Sequence, residues 1–260
     1  MKMKLKTLAT CVALISCCTT LRAATVYTSG HADIGVGWEV GEGLHIHLHA
    51  EDPLGTFGGG TIPAGEHDAD RYVIGVPDNF TFTRPAGSQW DFLSQNAGDT
   101  IYFLPATEDT SNPKPFLGIA TEELDAAEGW TTDVTWAFDS ITTVFGDPSA
   151  YSIYSVVGDQ PNQILASSLD TTNSDEWTQA PGTHNHFNMG FNAEGLYEVT
   201  FSVSAVNAGG GTSGIAAGTY NDTATFRFAT GGAIAAVPEP SGALLLGLCG
   251  VAGLVRRRRK

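Results

Sequence analysis

Cysteine is missing from the whole middle of the chain: Cys11, Cys17, Cys18 and Cys249 lie close to its two ends. A body without cysteine has no disulfide framework, no thiolate ligand and no cysteine nucleophile, so a packed core must hold it. Basic residues are almost as scarce. Between 25 and 236 only Arg71, Arg84, Lys114 and Arg227 face 27 acidic residues, a formal charge of −23. That balance excludes nucleic acid, which needs cationic contacts to phosphate, and disfavours anionic lipid surfaces. It favours solubility and draws cations. Also absent are a long amphipathic helix and the motifs H-E-x-x-H and G-x-S-x-G, so no catalytic machinery announces itself.

The ends carry the remaining basic residues. The chain opens Met1-Lys2-Met3-Lys4-Leu5-Lys6, and 8–15 is nearly free of polar side chains. A charged segment before a short apolar one reads as a Sec-type signal peptide, 1–24, cleaved after Ala23 or Ala24. Leu14-Ile15-Ser16-Cys17 offers a competing lipobox, in which Cys17 would be lipidated. At the other end, Val237-Pro238-Glu239-Pro240-Ser241 leads into the apolar run 242–255 and then Arg256-Arg257-Arg258-Arg259-Lys260. As a helix that run is about 21 Å long, short of the roughly 30 Å hydrocarbon core. The three parts in this order resemble the PEP-CTERM sorting signal of Gram-negative bacteria. The resemblance implies recognition and processing by an exosortase-type enzyme and delivery to the cell surface, outer envelope or extracellular matrix. It also implies membrane contact through 237–260 before processing. A plain tail anchor is the alternative, and in both cases the cationic tail stays cytoplasmic during export.

Between the ends, apolar and polar residues alternate with a period of two. Strands are expected at 25–28, 34–40, 44–50, 72–76, 80–83, 101–104, 132–138, 141–145, 151–157, 163–166, 195–205 and 223–228. Gly41-Glu42-Gly43 marks a hairpin turn. Residues 51–70 and 208–218 read as loops, 230–236 as a flexible linker, and 121–128 as one or two helical turns capped by Thr121. Many short strands with frequent turns predict an all-β, antiparallel β-sandwich, with a β-barrel as the alternative. An N-terminal signal helix and a C-terminal hydrophobic sorting helix would flank it.

Seven histidines stand out in this acidic body. His45, His47 and His49 alternate, with Leu44, Ile46 and Leu48 on the opposite parity, and Glu51 continues the row. His184 and His186 alternate in the same way, and His31 precedes Asp33 by two. Residues two apart on a strand share a face, so each H-x-H is a chelating pair for a divalent metal such as zinc, and carboxylates complete the shell. The bland alternative is a solvated sheet face. The expected ligands are His31, His45, His47, His49, His184 and His186, with His47, His49, His184 and His186 leading and His31 next. His67, in Glu66-His67-Asp68-Ala69-Asp70, is a weaker candidate.

Three stretches carry a second resemblance. They are Gly30-His31-Ala32-Asp33-Ile34-Gly35-Val36-Gly37-Trp38-Glu39, the run Phe116-Leu117-Gly118-Ile119-Ala120-Thr121-Glu122-Glu123-Leu124, and Gly182-Thr183-His184-Asn185-His186 continuing to Gly195-Leu196-Tyr197-Glu198-Val199-Thr200-Phe201. Together they resemble the choice-of-anchor M family of bacterial surface proteins. The resemblance implies one domain over 25–229 with an exchangeable anchor. It also implies kinship with surface proteins associated with ABC transport systems thought to carry metal ions, and it brings no established enzymatic activity to carry over. Three functions follow as expectations. The first is a surface-anchored, non-catalytic metal-binding protein. The second is a matrix or polysaccharide-associated structural protein, with Trp38, Trp90, Trp130, Trp136 and Trp177 as a sugar platform. The third is a metallohydrolase with Asp33 or Glu51 as base.

Overall fold

The period-two pattern becomes strand almost throughout the computed structural model, which describes residues 24–170 and 175–237. The expected signal helix, Cys17 and the sorting helix lie outside the described residues. In chain order the strands are β1 (Thr25–Glu39), β2 (Gly43–Ala50), β3 (Leu54–Thr56), β4 (Thr61–Ile62), β5 (Gly65–Asp68), β6 (Tyr72–Val76), β7 (Thr81–Thr83), β8 (Thr100–Leu104) and β9 (Pro115–Ala120). There follow β10 (Val134–Gly146), β11 (Tyr151–Val157), β12 (Gln160–Ser167), β13 (Glu176–Gln179), β14 (His184–His186), β15 (Asn188–Phe191), β16 (Gly195–Asn207) and β17 (Gly218–Thr230).

β1 organises the molecule because it belongs to two sheets. Its first residues pair with β6 in parallel and with β3 antiparallel. From Gly30 onward it pairs instead with β2 antiparallel and β9 in parallel. The turn-over falls at Gly30, whose φ of 110° suits glycine alone, and the Tyr27 hydroxyl donates to the Gly30 carbonyl at 2.5 Å. The first sheet runs β13-β10-β16-β17-β6-β1, with β3 and β4 beyond; the second runs β5-β2-β1-β9-β14. A third, β12-β11-β15-β8-β7, is separate. All three have free edges, so no barrel closes. The pairs β1–β6, β1–β9 and β17–β6 are parallel. The first two sheets are therefore mixed where antiparallel pairing was expected, because alternation sets which side chains face inward and not which way a neighbour runs; the third is antiparallel throughout.

Apolar faces of the sheets share one core. Tyr151 of β11 touches Phe138, Phe201 and Phe228, and Phe191 of β15 packs on Tyr197 and Phe228. Burial of this aromatic layer replaces the missing disulfides. Two of the four basic residues of the body are also structural: Arg84 is buried against the Ser94 and Pro85 carbonyls and Asp91, and the Lys114 ammonium lies over the Phe80 ring.

Several local expectations change. The two strands expected at 132–138 and 141–145 are one, β10, whose register shift between Phe138 and Ser140 absorbs Asp139 as a bulge. Residues 51–70 contain β3, β4 and β5. The turn near 121–128 is a 3-10 turn, Ala126–Glu128, and Asp125 caps it through the Ala127 amide at 2.7 Å. Thr121 is buried instead and donates to the Ala180 carbonyl at 2.6 Å. Residues 230–236 contain the end of β17 and a helical turn, Ala233–Ala236, with Ala233 and Ile234 buried. The 208–217 connection joins β16 to β17 as expected, closing on the Asn207–Gly218 pair.

Candidate metal centre

All seven histidines sit in the second sheet: His31 on β1, His45, His47 and His49 on β2, His67 on β5, and His184 and His186 on β14. Its register puts six of them on one face. Glu66, His49, Asp33, Gly118 and His186 form one row across the five strands, and Asp68, His47, Gly35, Ala120 and His184 form the next. Residues in register share a face. The opposite face carries Ala32, Ile34, Val36, Leu44, Ile46, Leu48, Leu117 and Ile119, all buried in the core. Alternation thus dictates an imidazole face backed by an apolar one. His67 is the exception: it pairs with Leu48 and so takes the other parity, and its Nε2 lies 2.9 Å from the Pro63 carbonyl.

Glycines hollow out this face. A methyl at Gly118 would collide with Asp33 Oδ1 and come within 3.1 Å of the His186 ring. A methyl at Gly35 would lie 3.1 Å from His47 Nε2, and one at Gly37 would collide with the Glu123 carboxylate. β1 and β14 are separated by β9, a gap of roughly 10 Å at ordinary strand spacing. His31 reaches the β14 pair across it because Gly118 sends nothing up from β9.

The hollowed face gathers two triads. In the first, His31, His184 and His186 offer nitrogens that all lie within 4.8 Å of one another. The ring centres of His31 stand 5.0 Å from His186 and 5.7 Å from His184. Phe116 stacks flat on His186 at 3.7 Å and fixes its plane. Asp33 lies beside them, 1% exposed, with Oδ1 3.5 Å from His31 Nε2. Neither Asp33 oxygen has a hydrogen-bond partner, and neither do the buried His31 Nε2 and His186 Nδ1. Burial pushes the Asp33 carboxyl above its ordinary range, against the pull of His31 and His184. Burial, with His31 and His184 adding to it, pulls His186 down to about 4, which leaves a neutral imidazole at physiological pH. A hydrogen bond from His184 Nδ1 to Glu122 Oε1, 2.9 Å, raises His184. Glu51 Oε2 stands 3.6 Å from His31 Nδ1.

The second triad is His47, His49 and Glu123, again with ligand atoms within 4.8 Å of one another. Glu123 Oε1 lies 3.0 Å from His47 Nε2 and 3.3 Å from His49 Nδ1. Burial alone would lower His47, but the hydrogen bond and charge of Glu123 outweigh it and hold His47 above its ordinary value. Burial alone would raise Glu123, but the hydrogen bond and charge of His47 outweigh it and hold Glu123 below its ordinary value.

The leading foursome expected from sequence is therefore divided. His47 and His49 stand on β2, three strand spacings or about 14 Å from His184 and His186 on β14, too far for one ion. His31 moves from fifth place into the first triad. His45 joins neither: its nitrogens face Glu39 at 4.0 Å and Asp222 at 3.9 Å. Sequence reading passed over Glu122, Glu123, Phe116 and Gly118. The one local signal was Gly35 and Gly37 keeping the parity of His31 and Asp33. The tryptophan platform does not form: Trp90, Trp130, Trp136 and Trp177 are buried, and Trp38 packs on Trp130 and Tyr220.

Among known proteins the recognisable part of the chain is its end. Residues 236–260 match the PEP-CTERM protein-sorting motif, the signal of exported, surface-sorted bacterial proteins that pass through exosortase-type machinery. No curated protein and no solved structure matches the chain.

Proposed function

We propose that this is a surface-anchored, non-catalytic β-sandwich protein of the choice-of-anchor M type, exported by the Sec route, that binds a divalent metal such as zinc. The ligands are His31, His184 and His186, with Asp33 completing the shell. The observation that carries this reading is the carboxylate of Asp33, buried with neither oxygen hydrogen-bonded beside three converging imidazoles. A buried, unpaired carboxylate costs several kcal/mol unless a cation or a proton neutralises it. Neutral imidazole is the ligating form, and three histidines with a carboxylate suit a borderline cation such as zinc. Nitrogens around a tetrahedral zinc stand ~3.4 Å apart, given bonds of about 2.0–2.1 Å. The triad's nitrogens, within 4.8 Å of one another, need to close by at most about 1.4 Å to reach that spacing. The −23 body raises the local concentration of cations around the site.

Equilibrium dialysis of the protein against zinc, copper and manganese tests the proposal. Stoichiometric binding that is lost in His186→Gln supports it. If none of the three metals is retained, the reading fails.

A further inference from the structure

We infer that the same sheet face takes a second divalent cation, held by His47, His49 and Glu123. This site is separate from the His31–His184–His186 triad and does not depend on it: β1 and β9 lie between the strands that carry the two histidine pairs.

Three observations carry the inference. The first is convergence. His47 Nε2 and His49 Nδ1 both aim at one oxygen, Glu123 Oε1, from 3.0 and 3.3 Å. Two histidines and one carboxylate are the donor set of zinc and ferrous sites. The second is a space shaped for these groups. A side chain at Gly37 would strike Glu123 and one at Gly35 would crowd His47, so β1 gives up two side chains where the triad lies over it. The third is rigidity. His47 is 1% exposed, and its ring packs beside those of His45 and His49 at 5.9 and 6.2 Å. One ligand is thus already fixed, while His49 and Glu123 remain partly open to solvent for the ion to enter. Glu66, Asp68 and Asp222 add negative charge from the neighbouring strands β5 and β17.

Without a cation the two imidazoles already have Glu123 as partner. An incoming ion must displace those contacts, so this site fills after the first. The ligand class is a divalent transition cation that accepts nitrogen; magnesium and calcium, which prefer all-oxygen shells, do not compete.

Zinc per full-length chain is counted by atomic emission after dialysis at rising zinc, in excess magnesium to occupy carboxylate-only positions. Two zinc ions per chain are expected, in two classes. His49→Gln and Glu123→Gln, made separately so that one misfolded variant does not decide the matter, should each lose the weaker class and keep the tighter one. His186→Gln should do the reverse. One zinc per wild-type chain that is lost in His186→Gln and kept in His49→Gln and Glu123→Gln overturns the inference and leaves the first site standing. Two zinc ions retained in both His49→Gln and Glu123→Gln overturn it as well. A single zinc that survives in His186→Gln and disappears in Glu123→Gln would support this site and remove the first.

Discussion

The two triads sit on one face of one sheet, and they differ in what they lack. In the His47–His49–Glu123 triad the carboxylate sits between its imidazoles and pairs with His47 Nε2 and His49 Nδ1, leaving the buried His47 Nδ1 without a partner. Its ionic states reinforce each other, with His47 raised and Glu123 lowered. In the His31–His184–His186 triad the carboxylate is buried and accepts no hydrogen bond, with His31 Nε2 standing off at 3.5 Å. Its ionic state is resisted, with Asp33 raised and His186 lowered. The first arrangement is a self-sufficient charge pair that a cation can enter. The second is incomplete as a set of protein groups alone. Similar residue types on the same face of one sheet thus acquire different chemistry from burial and from the position of one carboxylate.

The sharpest way to break this comparison is to change each carboxylate to its amide. Asp33→Asn should weaken zinc binding at the first site by at least about 10- to 100-fold, the range seen when a group that only supports a metal ligand is removed. In the metal-free protein the same change should raise stability at pH 7, because it removes an ionised group that the fold disfavours. Denaturant melts with and without zinc would show opposite signs. Glu123→Gln should do the contrary in the absence of metal and lower stability by about 1.5–3 kcal/mol, the scale of one hydrogen bond to a charged group. Should both amides shift metal-free stability in the same direction, the contrast between the triads is lost.

Gly118→Ala comes next in size. The added methyl must displace Asp33 and crowd His186, an overpacking that costs about 1–3 kcal/mol. Zinc binding at the first site should fall with it. Gly41→Ala, at a solvent-facing turn where a methyl meets nothing, is the control: it strains a φ of 100° and leaves zinc binding untouched.

Proton titration gives the smallest and most local effect. His186 should stay neutral by NMR until about pH 4, whereas His47 and His184 take up a proton above the ordinary histidine value. The signs follow. A lowered His186 means the unfolded chain binds its proton first, so this group removes stability as pH falls from about 6.5 toward 4. The raised His47 contributes stability that is present below its unfolded value and is lost as pH rises through its folded one. The lowered Glu123 contributes above its unfolded value and loses that contribution as pH falls through its folded one. The second triad therefore stabilises most between those limits. An ordinary titration of His186 near 6.5 would remove the argument that its site is dry.

Much of this face was legible in the sequence because alternation is local. Leu44, Ile46 and Leu48 against His45, His47 and His49 gave the strand, its inner face and its outer one before any partner was known. The long strands β16 and β17 announced themselves in the same way. What alternation cannot carry is neighbour order. Nothing in 44–50 or 184–186 says that β1 and β9 come between them, and that order splits the expected foursome. Parallel pairing of β1 with β9 was hidden for the same reason, and so was the arrival of Glu123 over Gly37. Glu122-Glu123 reads as ordinary surface charge until the turn after β9 folds it onto the histidines. The tail is the opposite case: Pro238-Glu239-Pro240, the apolar run and the basic end are read in one dimension, and the match over 236–260 needs no fold.

The claim at the centre is that an incomplete cluster of protein groups is completed by a metal. Anomalous scattering at the zinc edge, from crystals of the zinc-loaded protein, tests it most directly. The account predicts a peak bonded to nitrogens of His31, His184 and His186 at about 2.0–2.1 Å, with an Asp33 oxygen turned toward it. A map with no peak among these three rings, or with zinc only on carboxylates elsewhere on the surface, would contradict it.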